Sequence, residues 1–265
     1  MRSGMLVFVA VSLIACQPAR IDPLADRRIV DLTHTFDEHT IYWPTEDGFA
    51  HVQDTAGVTE KGYYYEAHSY RVPEHGGTHI DAPTHFWKGG RSVDQIPVEQ
   101  LIGPGIVVDV SAACTSDRDH QVTVAELQSW EDRHGQIPAG AIVLLRTGFG
   151  RHWPDRIKYL GTYDRGPGAV AKLHFPGLHP EAATWLTKAR RIGAIGLDTA
   201  SIDHGQSTKF ESHVTLFAAG VPALENVADL EGLPETGFVV IALPMKIGRG
   251  SGAPTRVIAL LPEPR

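Results

Sequence analysis

Six short apolar runs rich in β-branched residues recur along the chain, at Ile29 to Leu32, Ile106 to Val110, Ala141 to Leu145, Ile192 to Leu197, Phe238 to Leu243 and Arg256 to Leu261. Each has the length and composition of a strand. Two other stretches carry helical spacing. In TVAELQSWEDRHG, Thr123 and Glu126 make a capping-box pattern, Val124, Leu127 and Trp130 fall on one face, and Gly135 supplies a stop, which predicts a helix from Val124 to His134. A second helix is predicted from about Glu181 to Arg191, with Pro180 ahead of it and Gly193 beyond. Ala182, Trp185, Leu186 and Ala189 form its buried side, and Lys188, Arg190 and Arg191 its basic end. Helices among many strands predict an α/β domain, and the helix before Ala141 to Leu145 fits a crossover unit. Thr147 to His179, rich in Gly, Pro, Tyr and Trp, is too long for a simple connection; such segments carry function or contact a partner.

The first residues break this pattern. MRSGMLVFVAVSLIAC starts with Arg2, is apolar from Met5 to Ala15 and ends at Cys16, the layout of a signal peptide. The run is too short to span a bilayer as a helix. Leu13, Ile14, Ala15 and Cys16 resemble a bacterial lipobox, so the expectation is a leader over 1–16, a polar tether over 17–27, and one domain over 28–265. Gln17 is not the aspartate that favours inner-membrane retention. An exported protein, periplasmic or anchored to a membrane only through lipid on Cys16, follows. Cys114 would then be the single remaining thiol, so no intrachain disulfide supports the fold.

Bulk composition changes little else. A chain of 265 residues with 42% hydrophobic content can bury a substantial core in one domain. The formal charge of −7 contains no basic stripe, which argues against nucleic acid as a partner.

Chemistry concentrates in HGGTHIDAPTHF, residues 75–86. Gly76, Gly77 and Pro83 disfavour a helix there. In an extended chain His75, His79, Asp81 and His85 share parity and point to one face, while the glycines let the backbone bend close to an ion. Imidazoles plus a carboxylate, with no thiolate, suit zinc, manganese or iron. Three protein ligands leave a position for water, whose pKa a divalent ion lowers to about 7.

The pattern H-x-G-T-H-x-D-x-P-x-H-F resembles the signature of the metal-dependent cyclase family, which includes bacterial kynurenine formamidases and isatin hydrolases. DLTHTF, IGLDTASID, ESHVTLFAAGVPALENVADL and ALPMKIGRGSGAPTRVIAL are similar to further blocks of that family, so the likeness covers the chain from Ile29 onward. The resemblance implies a single compact α/β domain around a mixed, barrel-like β-sheet with flanking helices, usually a homodimer or homotetramer. It implies that His75, His79 and Asp81 hold a divalent metal, Zn or Mn, and that His85 is the general acid or base. His213 and Glu225 would complete a second metal position, giving one or two ions per subunit, and Glu225 would share catalytic work if one ion is bound. Read without the resemblance, His213 and Glu225 lie in a segment fit for an amphipathic helix plus a turn. Tyr42, Trp43 and Phe86 are the expected substrate wall, with Tyr42 and Trp43 offering aromatic surface with a polar handle. Thr45, Glu46 and Asp47 stand where the formamidases tend to have a glycine and an aspartate. His174, His179 and His204 are expected at the surface or behind the site, and Asp198 and Asp203 as structural residues that can orient a ligand.

The activity implied is hydrolysis of a small-molecule amide at its carbon–nitrogen bond, arylformamidase-like and so of a type met in tryptophan catabolism. Ring opening of a cyclic amide, as in the isatin hydrolases, is the alternative, and it suits an exported scavenging enzyme. A dehydratase or cyclase would use the same centre as a Lewis acid. A non-catalytic metal- or solute-binding lipoprotein is the reading from another class, and it would tolerate the loss of His85.

Overall fold

Residues 27–263 are described by a computed structural model; the expected leader and most of the tether lie outside the described residues. The strands, in chain order, are β1 (Arg27–Asp31), β2 (Ala50–Val58), β3 (Tyr64–Arg71), β4 (His79–Asp81), β5 (Ile102–Asp109), β6 (Gln121–Val122), β7 (Ile142–Arg146), β8 (Gly177–Leu178), β9 (Ala194–Leu197), β10 (Ala223–Glu225), β11 (Phe238–Pro244) and β12 (Gly252–Pro262). The α-helices are α1 (Ser111–Ser116), α2 (Val124–His134), α3 (Arg156–Leu160), α4 (Pro167–Val170), α5 (Pro180–Trp185) and α6 (Glu211–Ala218).

Seven strands close into a mixed barrel in the order β12-β11-β5-β7-β9-β10-β4, with β4 returning to pair β12, and β1 extends the edge of β12 beyond β4. The parallel set β5, β7, β9 and β10 follows from crossovers, and α2 connects β5 to β7 as its sequence position predicts. Alternation of side chains sorts the apolar residues into two cores. Ile80, Val107, Leu144, Ala194, Leu224, Val240 and Val257, one from each barrel strand, meet in the interior. Ile106, Val108, Val143, Leu145, Ile195 and Ala223 point outward and are covered by Leu127 and Trp130 of α2, Ala182 and Ala183 of α5, and Leu216 and Phe217 of α6. The middle strands read as unbroken apolar runs because both faces are buried.

Helix α2 has the predicted bounds. The Thr123 hydroxyl accepts from Glu126 N, the Glu126 carboxylate accepts from Thr123 N, and Gly135 ends the helix at φ 85°. Such a cap is worth about 1 kcal/mol. The second predicted helix differs at both ends. Pro180 is its first residue, not its predecessor, and after Trp185 it widens into a π-turn over Leu186–Arg190 that stops at Arg191, left-handed at φ 54°, ahead of Gly193. The π-turn lets Leu186 stay buried while Arg190 turns to a bidentate pair with Glu131 of α2.

The segment 147–179 is no simple loop: it contains α3, α4 and β8. Asp198 pins its start, accepting from Thr147 N and Oγ1, Gly148 N and Gly150 N. The antiparallel ribbon β2–β3 has no counterpart among the predicted strands, because its positions are exposed on both faces and show no apolar alternation.

Candidate metal centre

The outer face of the barrel at β4 and β10 carries the cluster. Ile80 and Leu224 point inward, so period-two alternation turns His79, Asp81 and Glu225 outward. The two strands are antiparallel neighbours in which Glu225 pairs with His79 and Ala223 with Asp81. Helix α6 lies across this face and lowers His213 onto it. His213 Nε2 is 3.1 Å from Glu225 Oε1 and 3.3 Å from Asp81 Oδ2.

Parity brings together only His79 and Asp81, since β4 is three residues long. His75 and His85 arrive by other means. Gly76 and Gly77, at φ 150° and 57°, bend the chain ahead of β4, and a 3-10 turn over Pro83–His85 folds the end of the motif back. Gly76 is required because the Tyr42 ring lies on its backbone; an added Cβ would sit 2.1 Å from that ring. Gly252 on β12 similarly leaves room for the His75 ring, 2.5 Å from the position of its missing Cβ. As a result His75 Nδ1 sits 2.7 Å from Asp81 Oδ1, and the His85 ring stacks on that of His75 with centroids 3.8 Å apart.

Two donor triads result, His75–His79–Asp81 and Asp81–His213–Glu225, each with its donor atoms within 4.8 Å of one another. They share Asp81. Two observations show that the donors fit a divalent cation. His79 Nε2 is buried and has no hydrogen-bond partner, although it faces Asp81 Oδ1 at 3.1 Å and Glu225 Oε2 at 3.5 Å. Three carboxylates, Asp81, Glu225 and Asp203, are buried together with no lysine or arginine paired to them among the described residues. Buried charge of one sign needs a counter-charge, and a metal ion supplies it among ligands of this type.

Titration follows from the same geometry. Burial alone would raise the Asp81 carboxyl, but His75, His213 and His79 hold it well below its ordinary value. Burial and the neighbouring Asp81 charge push Glu225 up. His213 is pulled down by burial and raised further by Asp203, Asp81 and Glu225, with a net shift upward. His85 makes no such contact: burial chiefly, with the neighbouring imidazoles, lowers it to about 4 despite Asp81. Its ring is therefore a neutral acceptor at pH 7.

The two buried imidazoles of the triads each have a partner on the other nitrogen. His213 Nδ1 donates to Asp203 Oδ2 at 2.6 Å, and His79 Nδ1 donates to the Gly77 carbonyl at 3.0 Å. Asn226, at φ 53°, donates to the same carbonyl and accepts from the Tyr159 hydroxyl. Asp203 thus orients the His213 ring, while Asp198 holds the turn from Thr147 to Gly150.

A cavity of about 210 Å³ opens onto the cluster. Tyr42, Trp43 and Phe86, the expected wall, all line it, joined by Phe210, Ile41, Glu46 and Ser201. Phe86 packs on Phe210 and on the His213 ring, and Trp43 meets Phe175 edge-on and Phe210 at a tilt. Sequence reasoning missed Phe210, which takes a left-handed φ of 50° at the start of α6, three residues before His213. His174 pairs with Asp119 at the surface and His179 caps α5, while the His204 carbonyl accepts from Ser207 N.

A closed mixed barrel with histidine and carboxylate triads on its outer wall, under an aromatic pocket, defines a barrel protein whose donors fit a divalent metal. A family model described as "Putative cyclase" matches residues 30–204, two thirds of the chain. The chain belongs to that cyclase family. It is 35% identical over 199 residues to isatin hydrolase of Roseibium aggregatum, covering 72% of this chain and 73% of the relative. To kynurenine formamidase of Salinibacter ruber it is 30% identical over 234 residues, covering 87% and 96%. The solved structure of isatin hydrolase A from Labrenzia aggregata superposes with a TM-score of 0.79 at 36% identity, covering 90% of this chain and 95% of that one.

Proposed function

We propose that the chain is a metal-dependent hydrolase of the carbon–nitrogen bond of an anilide, an amide whose nitrogen is borne by an aromatic ring. The observation that carries this reading is the meeting of two donor triads on Asp81 at the foot of an aromatic pocket, with a neutral imidazole, His85, stacked on one ligand. His75, His79, Asp81, His213 and Glu225 would hold one or two ions of Zn or Mn. A bound divalent ion supplies Lewis-acid polarisation of a carbonyl and a lowered pKa for water.

The residues account for the remaining work. Trp43, Phe86 and Phe210 offer flat apolar surface to an aromatic ring, and Tyr42 lines the same pocket. His85 accepts a proton from the attacking water as the tetrahedral centre forms and returns it to the departing nitrogen, so the leaving group is a neutral arylamine. Glu225 shares proton transfer where only His75, His79 and Asp81 are engaged by metal.

Two anilides fit. An N-formyl anilide of the kynurenine type is favoured by the likeness to kynurenine formamidases over nearly their whole length. A cyclic anilide of the isatin type is favoured by the higher identity to isatin hydrolases. The test is metal analysis of purified protein followed by assay of N-formylkynurenine and isatin side by side. Turnover of either supports the reading; metal-loaded protein that cleaves neither overturns it.

The same proposal includes a homodimer or homotetramer. The β2–β3 ribbon exposes Val52, Val58, Tyr64, Tyr65 and Tyr70, and a two-stranded ribbon is marginally stable when left uncovered. Light scattering of the purified chain tests it. Export and lipid attachment at Cys16 remain proposals from the leader sequence, tested by labelled fatty-acid incorporation that Cys16→Ser abolishes.

A further inference from the structure

The third ligand histidine differs from the other two. His79 and His213 are sealed in, with 2% and 3% of their side chains exposed, whereas His75 is 23% exposed at the rim of the centre. Its ring also carries the stacked ring of His85. Whatever holds His75 therefore orders both a ligand and the proton acceptor, and packing does less of that work here than for the buried pair.

A hydrogen-bonded chain from the far end of the sequence does it. With Nδ1 facing Asp81 as the ligating nitrogen, the ring proton sits on Nε2 and is donated to Ser251 Oγ at 2.8 Å. The Ser251 hydroxyl then donates to Glu74 Oε2 at 2.7 Å. Glu74 is itself fixed, since the same oxygen accepts from Ser251 N at 2.8 Å and Gly252 N at 3.3 Å. The Ser251 hydroxyl has one proton and gives it to Glu74, so with Nδ1 committed to a metal this chain of bonds calls for the Nε2–H tautomer of His75. The neighbouring Gly252 gives the imidazole the space to lie there.

We propose that Glu74, acting through the Ser251 hydroxyl, is a positioning pair that sets the tautomer and orientation of His75 for metal binding. This rests on the metal-centre reading above. Outer partners of ligating histidines typically govern metal affinity by 10- to 100-fold.

The experiment measures Mn²⁺ and Zn²⁺ affinity of the full chain by competition with a chromogenic chelator, for wild type, Glu74→Gln, Ser251→Ala, Ser251→Thr and the Glu74→Gln/Ser251→Ala double variant. Ser251→Ala removes the link to His75 but keeps both backbone bonds to Glu74, so the loop stays pinned. It is expected to bind each metal about 10-fold or more weakly, while its metal-free form melts within about 2 °C of wild type. Ser251→Thr restores affinity. The double variant binds no more weakly than the worse single one, as members of one chain of bonds must. Unchanged affinity in both single variants, additive losses in the double variant, or a fall in metal-free melting temperature that accounts for the weakened binding overturns the proposal. Wild-type protein that takes up no metal would instead sink the metal-centre reading itself.

Discussion

Glu225 stands directly opposite His79 across the antiparallel β10–β4 pair, and its Oε2 lies 3.5 Å from His79 Nε2. The pair joins the two triads: His79 belongs to one, Glu225 to the other, and Asp81 to both. Glu225→Ala should therefore reduce bound metal and lower kcat/KM by roughly 10²-fold or more, since it removes a donor and not an outer partner. Elemental analysis alongside kinetics checks this; a variant with full metal content and full activity would remove Glu225 from the centre.

His85 stacks on His75 without belonging to either triad. His85→Ala is expected to retain metal in wild-type amount while kcat falls by about 10²- to 10⁴-fold, the usual contribution of a positioned acid–base group. Loss of metal together with activity would make His85 a ligand. Retention of both metal and activity would remove His85 from the proton-transfer step.

Asp203 accepts from His213 Nδ1 and from the backbone N–H groups of Ser212 and His213 at the start of α6. Asp203→Asn keeps the shape but weakens the hold on the imidazole. Metal affinity or activity should drop by about 10- to 100-fold. Competition titration is the measurement, and equal affinity in the variant would show that α6 packing alone places His213.

Metal removal should also register as stability. At a free metal concentration of 100 times Kd, binding to the folded state alone adds about 2.7 kcal/mol. For a chain of this size each kcal/mol moves Tm by roughly 2–4 °C. Chelated protein should thus melt several degrees lower and recover on adding back Mn²⁺ or Zn²⁺, followed by calorimetry. Identical melting with and without metal would mean that the folded chain does not bind it.

Acid sensitivity has a source outside the centre. His34 stacks on Trp153 with centroids 4.1 Å apart, and burial lowers its pKa to about 4 from an unfolded value of about 6.5. Between these values the unfolded chain binds the extra proton, so the fold keeps its full stability above pH 6.5 and loses some as pH falls toward 4. His34→Phe keeps the stacked ring without the titrating nitrogen. Its Tm should fall less than that of wild type between pH 7 and 5. An equal fall in both proteins would place the sensitivity elsewhere.

Local rules made a good part of this molecule legible. Thr123 and Glu126 start α2 and Gly135 ends it, because a cap is a contact between residues three or four apart. The apolar runs of β5, β7 and β9 could be read as strands, and the density of imidazole and carboxylate in residues 75–86 marked the metal chemistry before any geometry was known. The β2–β3 ribbon, exposed on both faces, left no such trace.

The residues of the centre were thus determined by the sequence itself, through the chemistry of the side chains and the glycines that forbid a helix among them. What only the tertiary structure decided is how they meet. Closing the barrel through β4 and β12, laying His213 over β10, and tying His75 to Ser251 across 176 residues are pairings between distant segments. Spacing along the chain encodes which face a residue takes within one strand or helix; it does not encode which strand becomes the neighbour, because that is set by the shape and packing of the whole barrel.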